Sequence, residues 1–269
     1  MFNRRYGKCY HTKLINCGSV LEVIEYGLPV VRSSRCNRIG RAGQGTTSVE
    51  TKRDNRGKTA YRARQTVRNM ANVNFSQNSK FVTLTFAENV VNVNEAYRML
   101  SNFFKRLKRY LKKPPQYIAV LEFQKRGAIH FHVLMNIPYI PHKELERLWG
   151  HGFVKINQID DTDNIGAYIT KYMTKENMDE RLAGQKSYTM SRNLRKPEET
   201  TDAEVIEAVL ADVCVKRVAY TAEFESEYYG SISYTQLILE RSVTLSAYRK
   251  PQASGCFPPL WGVCKPLPV

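Results

Sequence analysis

Three short stretches hold residue types that could do chemistry together. In His130-Phe131-His132, one residue separates two imidazoles. On a strand, successive side chains alternate between faces, so both histidines project the same way while Phe131 enters the core. Two imidazoles on one face can share a divalent metal ion. Glu122 precedes His130 by eight residues, and a hairpin turning at Lys125–Gly127 would set its carboxylate alongside as a third ligand. Such a set leaves coordination positions for water or a phosphate oxygen. Paired histidines also occur as ordinary packing, so this spacing alone leaves both readings open.

The third stretch is Tyr168-Ile169-Thr170-Lys171-Tyr172-Met173-Thr174-Lys175. Tyrosines four apart share one face of a helix, and Lys171 and Lys175 follow each by three residues. A phenol is a poor nucleophile at its ordinary pKa of about 10. Neighbouring ammonium groups and a polarised phosphate would favour the phenolate and receive its attack. An aromatic stripe packed on a sheet, with lysines reaching outward, accounts for the same pattern without chemistry.

Several elements must position these groups. Phe81–Phe86 is short, apolar and β-branched, as a buried strand is. An amphipathic helix spans about 94–113, with Tyr97, Leu100, Phe103, Phe104, Leu107 and Leu111 on its apolar stripe, and Pro114-Pro115 stops it. Strands at about 117–123 and 128–136 fit an antiparallel hairpin. A short helix at 142–149, a strand at 153–159 and a helix from Thr162 to about Asn177 complete this central unit. Earlier, a helix is expected over 59–72 and a strand at Val20–Tyr26 within an otherwise irregular opening. Later come a strand within 186–193, a helix at 201–211, strands at 213–222 and 231–239, and a proline-rich tail.

The 269 residues, 42% hydrophobic and 25% charged, are those of a globular chain. No run reaches the roughly 18 apolar residues of a membrane helix, and no signal peptide opens the chain, so a cytoplasmic protein without membrane partners is expected. The net charge of +16 favours phosphate-rich partners. It is concentrated at the front: residues 1–80 hold sixteen Lys and Arg against Glu22, Glu25, Glu50 and Asp54. The six cysteines contain no C-x-x-C pair, which argues against a disulfide framework or a zinc finger. No G-x-x-x-x-G-K-[ST] phosphate loop is present.

The ordered series T-L-T-F, then E-x₇-H-x-H, then Y-x-x-K resembles the HUH endonucleases. It is most similar to the rolling-circle replication initiators (Rep proteins) of plasmids and single-stranded DNA phages. The doubled Y-x-x-K-Y-x-x-K resembles the two-tyrosine phage subclass. The resemblance covers roughly residues 75–195, including 186–197. It implies an α+β fold: a central antiparallel, palm-like HUH sheet of about five strands with flanking helices, one bearing the tyrosines. Residues 1–74 would then be a basic, DNA-binding extension, 75–240 the nicking-joining domain and 241–269 the tail.

It further implies that Glu122, His130 and His132 hold Mg²⁺ or Mn²⁺. Tyr168 would attack single-stranded DNA at a replication-origin hairpin, leaving a 5′-phosphotyrosine and a 3′-OH primer. Tyr172 would be the second nucleophile, with Lys171 and Lys175 beside the phosphate. Lys125, Arg126 and the more distant Arg192 would contact DNA. Many relatives carry a fused helicase; here a host helicase and DNA polymerase would be the partners. A transposase or relaxase sharing this chemistry, and a non-catalytic DNA-binding regulator, are the alternatives. Relaxases usually place the tyrosine before the histidines, opposite to the order here.

Overall fold

The computed structural model describes residues 9–31, 49–124, 127–159, 163–173, 180–182 and 185–248. In chain order the elements are β1 (Cys9–Cys17), β2 (Val20–Val31), α1 (Val49–Asn74), β3 (Lys80–Thr85) and α2 (Val93–Leu111). Then follow β4 (Gln116–Phe123), β5 (Ile129–Asn136), α3 (His142–Trp149), β6 (Val154–Gln158), α4 (Ile165–Thr170) and β7 (Tyr188–Met190). The series ends with β8 (Glu198–Thr200), α5 (Ala203–Asp212), β9 (Val215–Ser226) and β10 (Gly230–Leu239). The fold is α+β, with two five-stranded antiparallel sheets. Among the described residues, no helix is long and apolar enough to cross a membrane.

The chain forms two compact units that interleave in sequence. The described residues within 44–196 make one; those within 1–43 and 197–269 make the other.

In the first unit the strand order is β6-β3-β5-β4-β7. Alternation gives this sheet two different faces. On one, Val82, Leu84, Leu121, Phe131 and Val133 pack with Leu100, Phe103 and Leu107 of α2 and with Trp149 of α3. On the other, Phe81, Ile118, Val120 and Leu134 pack with Val67 and Ala71 of α1 and with Ile165 and Ile169 of α4. Burying each such side chain contributes about 1.5–3 kcal/mol, so both faces hold their helices firmly. The α2 boundaries follow local chemistry. The Asn92 side chain accepts from the Glu95 N–H at 3.1 Å, and Lys112 ends the helix in the left-handed region at φ 57°.

The helix expected over 59–72 is longer, spanning Val49–Asn74. The tyrosine helix is shorter than expected, ending at Thr170. There the Thr170 hydroxyl donates back to the Gly166 carbonyl at 2.8 Å. Beyond it, Lys171, Tyr172 and Met173 each donate to the carbonyl three residues earlier, a tighter turn than the α-helix. Residues 160–162 and 174–179 lie outside the described residues.

In the second unit the order is β8-β1-β2-β10-β9. The opening is therefore not irregular at 9–17, which form a strand paired with β2 and β8. Val205, Ile206 and Val209 of α5 pack on Leu14, Leu21, Leu239 and Leu245. Of the proline-rich tail, 241–248 are described and include a short 3₁₀ turn at Leu245–Tyr248.

Candidate active site

The hairpin of β4 and β5 closes as its spacing predicts: the Gln124 N–H donates to the Ala128 carbonyl at 2.8 Å. This register sets Glu122 directly opposite His130, and Val120 opposite His132. Directly opposed residues share a face, so Glu122, His130 and His132 project together while Phe131 is fully buried on the other side. The His132 Nε2 and a Glu122 carboxylate oxygen are 2.5 Å apart. On the far side of the ring, His132 Nδ1 lies 3.3 Å from the hydroxyl of Thr83, its opposite number on β3. With His132 neutral, Nε2–H donates to Glu122 and Nδ1 accepts from Thr83. A hydroxyl both donates and accepts, so Thr83 suits either tautomer.

The tyrosines reach the same place from α4. The Asn164 side chain caps that helix, accepting from the Ala167 N–H at 3.0 Å. The Asn72 carbonyl oxygen accepts from the Gly166 N–H at 2.6 Å, and the Asn72 amide donates to Asn164 at 3.1 Å. A Cβ on Gly166 would lie 2.2 Å from the Arg68 carbonyl oxygen. Only glycine lets α4 approach α1 this closely.

Phe81 then organises the rings. Tyr168 meets it edge-on at 5.0 Å, and Tyr172 stacks on it at 5.4 Å. Tyr172 also stacks on His132 at 3.8 Å. The two tyrosine rings are 6.2 Å apart and nearly perpendicular. Burial, chiefly, pushes the Tyr172 phenol up to about 12, helped by its hydrogen bond with Tyr168 and by the charges of Tyr168 and Glu122. The ammonium of Lys171 stands 5.4 Å from the centre of the Tyr168 ring.

Residues 79–177 match the family of the replication-associated protein ORF2. The matched stretch is less than half of the chain, yet it contains β3, the β4–β5 hairpin and α4, hence every site group just described. It supports a replication-initiator family. No curated protein and no solved structure matches the chain.

The structure thus brings together Glu122, His130, His132, Tyr168, Lys171 and Tyr172. Lys125, Arg126 and Lys175 lie outside the described residues. Arg192 is exposed and is not brought to the site. Its neighbour Ser191 donates its N–H to the Tyr117 carbonyl at 3.0 Å, five residues along β4 from Glu122, or about 17 Å. Among the described residues, no set of three or more His, Cys, Asp and Glu side chains is drawn together as a ready metal cluster. The donor chemistry nevertheless fits a divalent ion: one carboxylate and two imidazoles share a face, and the Glu122–His132 hydrogen bond is the contact an ion would replace.

Thr83, Phe81 and the Asn72–Asn164 clamp do not emerge as individual site residues from the sequence. The T-L-T-F stretch marks the strand of the first two, but their roles depend on its register with β5.

Proposed function

We propose that the chain is a replication initiator that nicks and rejoins single-stranded DNA through a covalent 5′-phosphotyrosine. One observation carries the reading: the Glu-His-His face and the tyrosine pair, far apart in sequence, meet through the Tyr172–His132 stack.

Glu122, His130 and His132 are the residues that would hold Mg²⁺ or Mn²⁺. When bound, the ion supplies positive charge to the scissile phosphate. Tyr168 is the first nucleophile. Its oxygen bonds to phosphorus as its proton leaves, and the bond from phosphorus to the 3′ oxygen breaks. That oxygen gains a proton and becomes the 3′-OH primer. Lys171 sits beside Tyr168, where its charge favours the phenolate and offsets charge on the phosphate. Tyr172, held as a phenol, acts in the second transfer that closes the strand. The covalent bond conserves phosphodiester energy for that joining step.

The test mixes the protein with single-stranded origin DNA and Mn²⁺ and resolves the products on a denaturing gel. The expected product is a protein–DNA adduct, lost on adding EDTA and lost in Tyr168→Phe. Cleavage that survives replacement of both tyrosines by phenylalanine would mean direct hydrolysis instead. Binding without any cleavage would mean a regulator.

A further inference from the structure

The register of the sheet extends the site in a direction the motifs do not mark. On β3, Thr85 faces His130 and Thr83 faces His132. On the other side of β3, Thr83 faces Lys155 and Leu84 faces Val154. The ladder runs one residue further, for the Thr85 N–H donates to the Phe153 carbonyl at 2.9 Å. Opposed residues share a face. Phe153, Thr85, His130 and Glu122 therefore form one row across four strands, and Lys155, Thr83 and His132 form the next.

The β6 end of these rows is open. Phe153 is 69% exposed and Lys155 is exposed, whereas Val154 between them is buried under α3 and α2. The backbone fixes this arrangement. Gly152 has φ +146°, and a Cβ there would lie 2.4 Å from both the Thr85 carbonyl oxygen and the Ala87 nitrogen. The His151 carbonyl accepts from the Ala87 N–H at 2.9 Å. Phe153 is thus pinned on both sides to the end of β3, with its ring turned outward on the histidine face. The strip between it and the histidines is floored by Thr83 and Thr85, both half-buried.

We propose that Phe153 and Lys155 form a subsite for the DNA strand flanking the scissile phosphate, the ring stacking on a base and the ammonium pairing with a phosphate. The proposal rests on the reading that this face acts on DNA. An exposed aromatic beside a cation is the combination that binds single strands without regard to sequence. Two strand spacings, about 10 Å, separate Phe153 from His130, a distance spanned by about three nucleotides at ~3.4 Å each. Along β6 this face carries Phe153, Lys155 and Asn157 and no acid, in a chain of net charge +16, which suits an anionic strand better than a protein partner.

The test measures binding of the full-length protein to a fluorescent single-stranded oligonucleotide in EDTA, so that no cleavage intervenes. Phe153→Leu keeps apolar bulk and removes stacking; about tenfold weaker binding is expected, the worth of one stacked base. Abasic substitutions scanned along the oligonucleotide should include one position that weakens wild-type binding and leaves Phe153→Leu unaffected. Lys155→Gln should lower the slope of log affinity against log salt by about 0.7, one phosphate contact. Unchanged affinity in both variants overturns the subsite, as does a wild-type protein that does not bind the oligonucleotide. The covalent adduct assay reads the initiator proposal separately. An adduct with unchanged variant binding refutes the subsite alone, whereas weakened variant binding without any adduct refutes the initiator alone.

Discussion

The ring of Tyr172 lies flat against the imidazole of His132, with centroids 3.8 Å apart and planes inclined by 22°. That stack makes the two tyrosines unequal. Tyr172 is already engaged: its ring lies on His132 and Phe81, its hydroxyl is bonded with Tyr168, and Glu122 is near enough to raise its pKa. Tyr168 touches Phe81 by its edge and has the Lys171 ammonium beside it.

The inequality predicts different outcomes for the two phenylalanine variants. Tyr168→Phe should abolish the covalent adduct, by on the order of a thousandfold or more, as removal of a nucleophile does. Tyr172→Phe keeps the stack on His132 and should leave the first cleavage within about tenfold of wild type while impairing strand joining. Mapping the DNA-linked peptide after proteolysis reads the order directly. DNA found first on Tyr172 would reverse the assignment.

Thr83 should matter through His132 alone. Thr83→Val retains the strand's shape and removes the hydroxyl 3.3 Å from Nδ1. Losing an outer hydrogen bond to a liganding histidine typically weakens metal affinity by about 10- to 100-fold. A Mn²⁺ titration followed by calorimetry should show that loss in Thr83→Val and its recovery in Thr83→Ser. Equal Mn²⁺ affinity in all three proteins would remove Thr83 from the site.

Why Thr83 is silent in the sequence illustrates what is legible there. The H-x-H spacing and the short turn determine that His130, His132 and Glu122 share a face, because alternation and hairpin closure are local rules. The partner of Thr83 depends on how β3 slides against β5, and a one-residue slip would exchange every face. Strand β1 is hidden for a related reason. Its residues alternate poorly, and its neighbour β8 (Glu198–Thr200) lies far along the chain. The tyrosine helix reads too long because Tyr168–Lys175 has helical spacing. The back-bonding of Thr170 and the turns after it follow tertiary contact with α1 and the sheet.

The approach of α4 to α1 makes Gly166 sensitive. Gly166→Ala would drive a methyl group to 2.2 Å from the Arg68 carbonyl oxygen, and overpacking of this kind costs about 1–3 kcal/mol or more. Asn72→Ala should cost about 1–3 kcal/mol by leaving the Gly166 N–H without its acceptor. Thermal unfolding should fall by about 2–4 °C for each kcal/mol. A Gly166→Ala protein that melts with wild type would show that the two helices have room to separate.

His151 supplies a pH dependence whose sign follows from its surroundings. Burial, set here against Trp149 at 5.1 Å and Phe86 at 6.4 Å, and then the positive charge of Arg106 hold its pKa below the ordinary 6.5. Arg106 cannot easily move away, since it donates to the Leu148 and Trp149 carbonyls, each at 2.7 Å. A depressed histidine pKa means that the unfolded chain binds the proton more readily than the folded one. The stabilising effect is therefore present above pH 6.5 and is lost as the pH falls through the lower folded value. The ring is partly open to solvent, so the change should stay below about 1 kcal/mol. Urea unfolding at about pH 5, 6 and 7 should show stability rising with pH, and His151→Gln should flatten part of that rise. An identical pH slope in wild type and His151→Gln would mean that His151 titrates alike in both states.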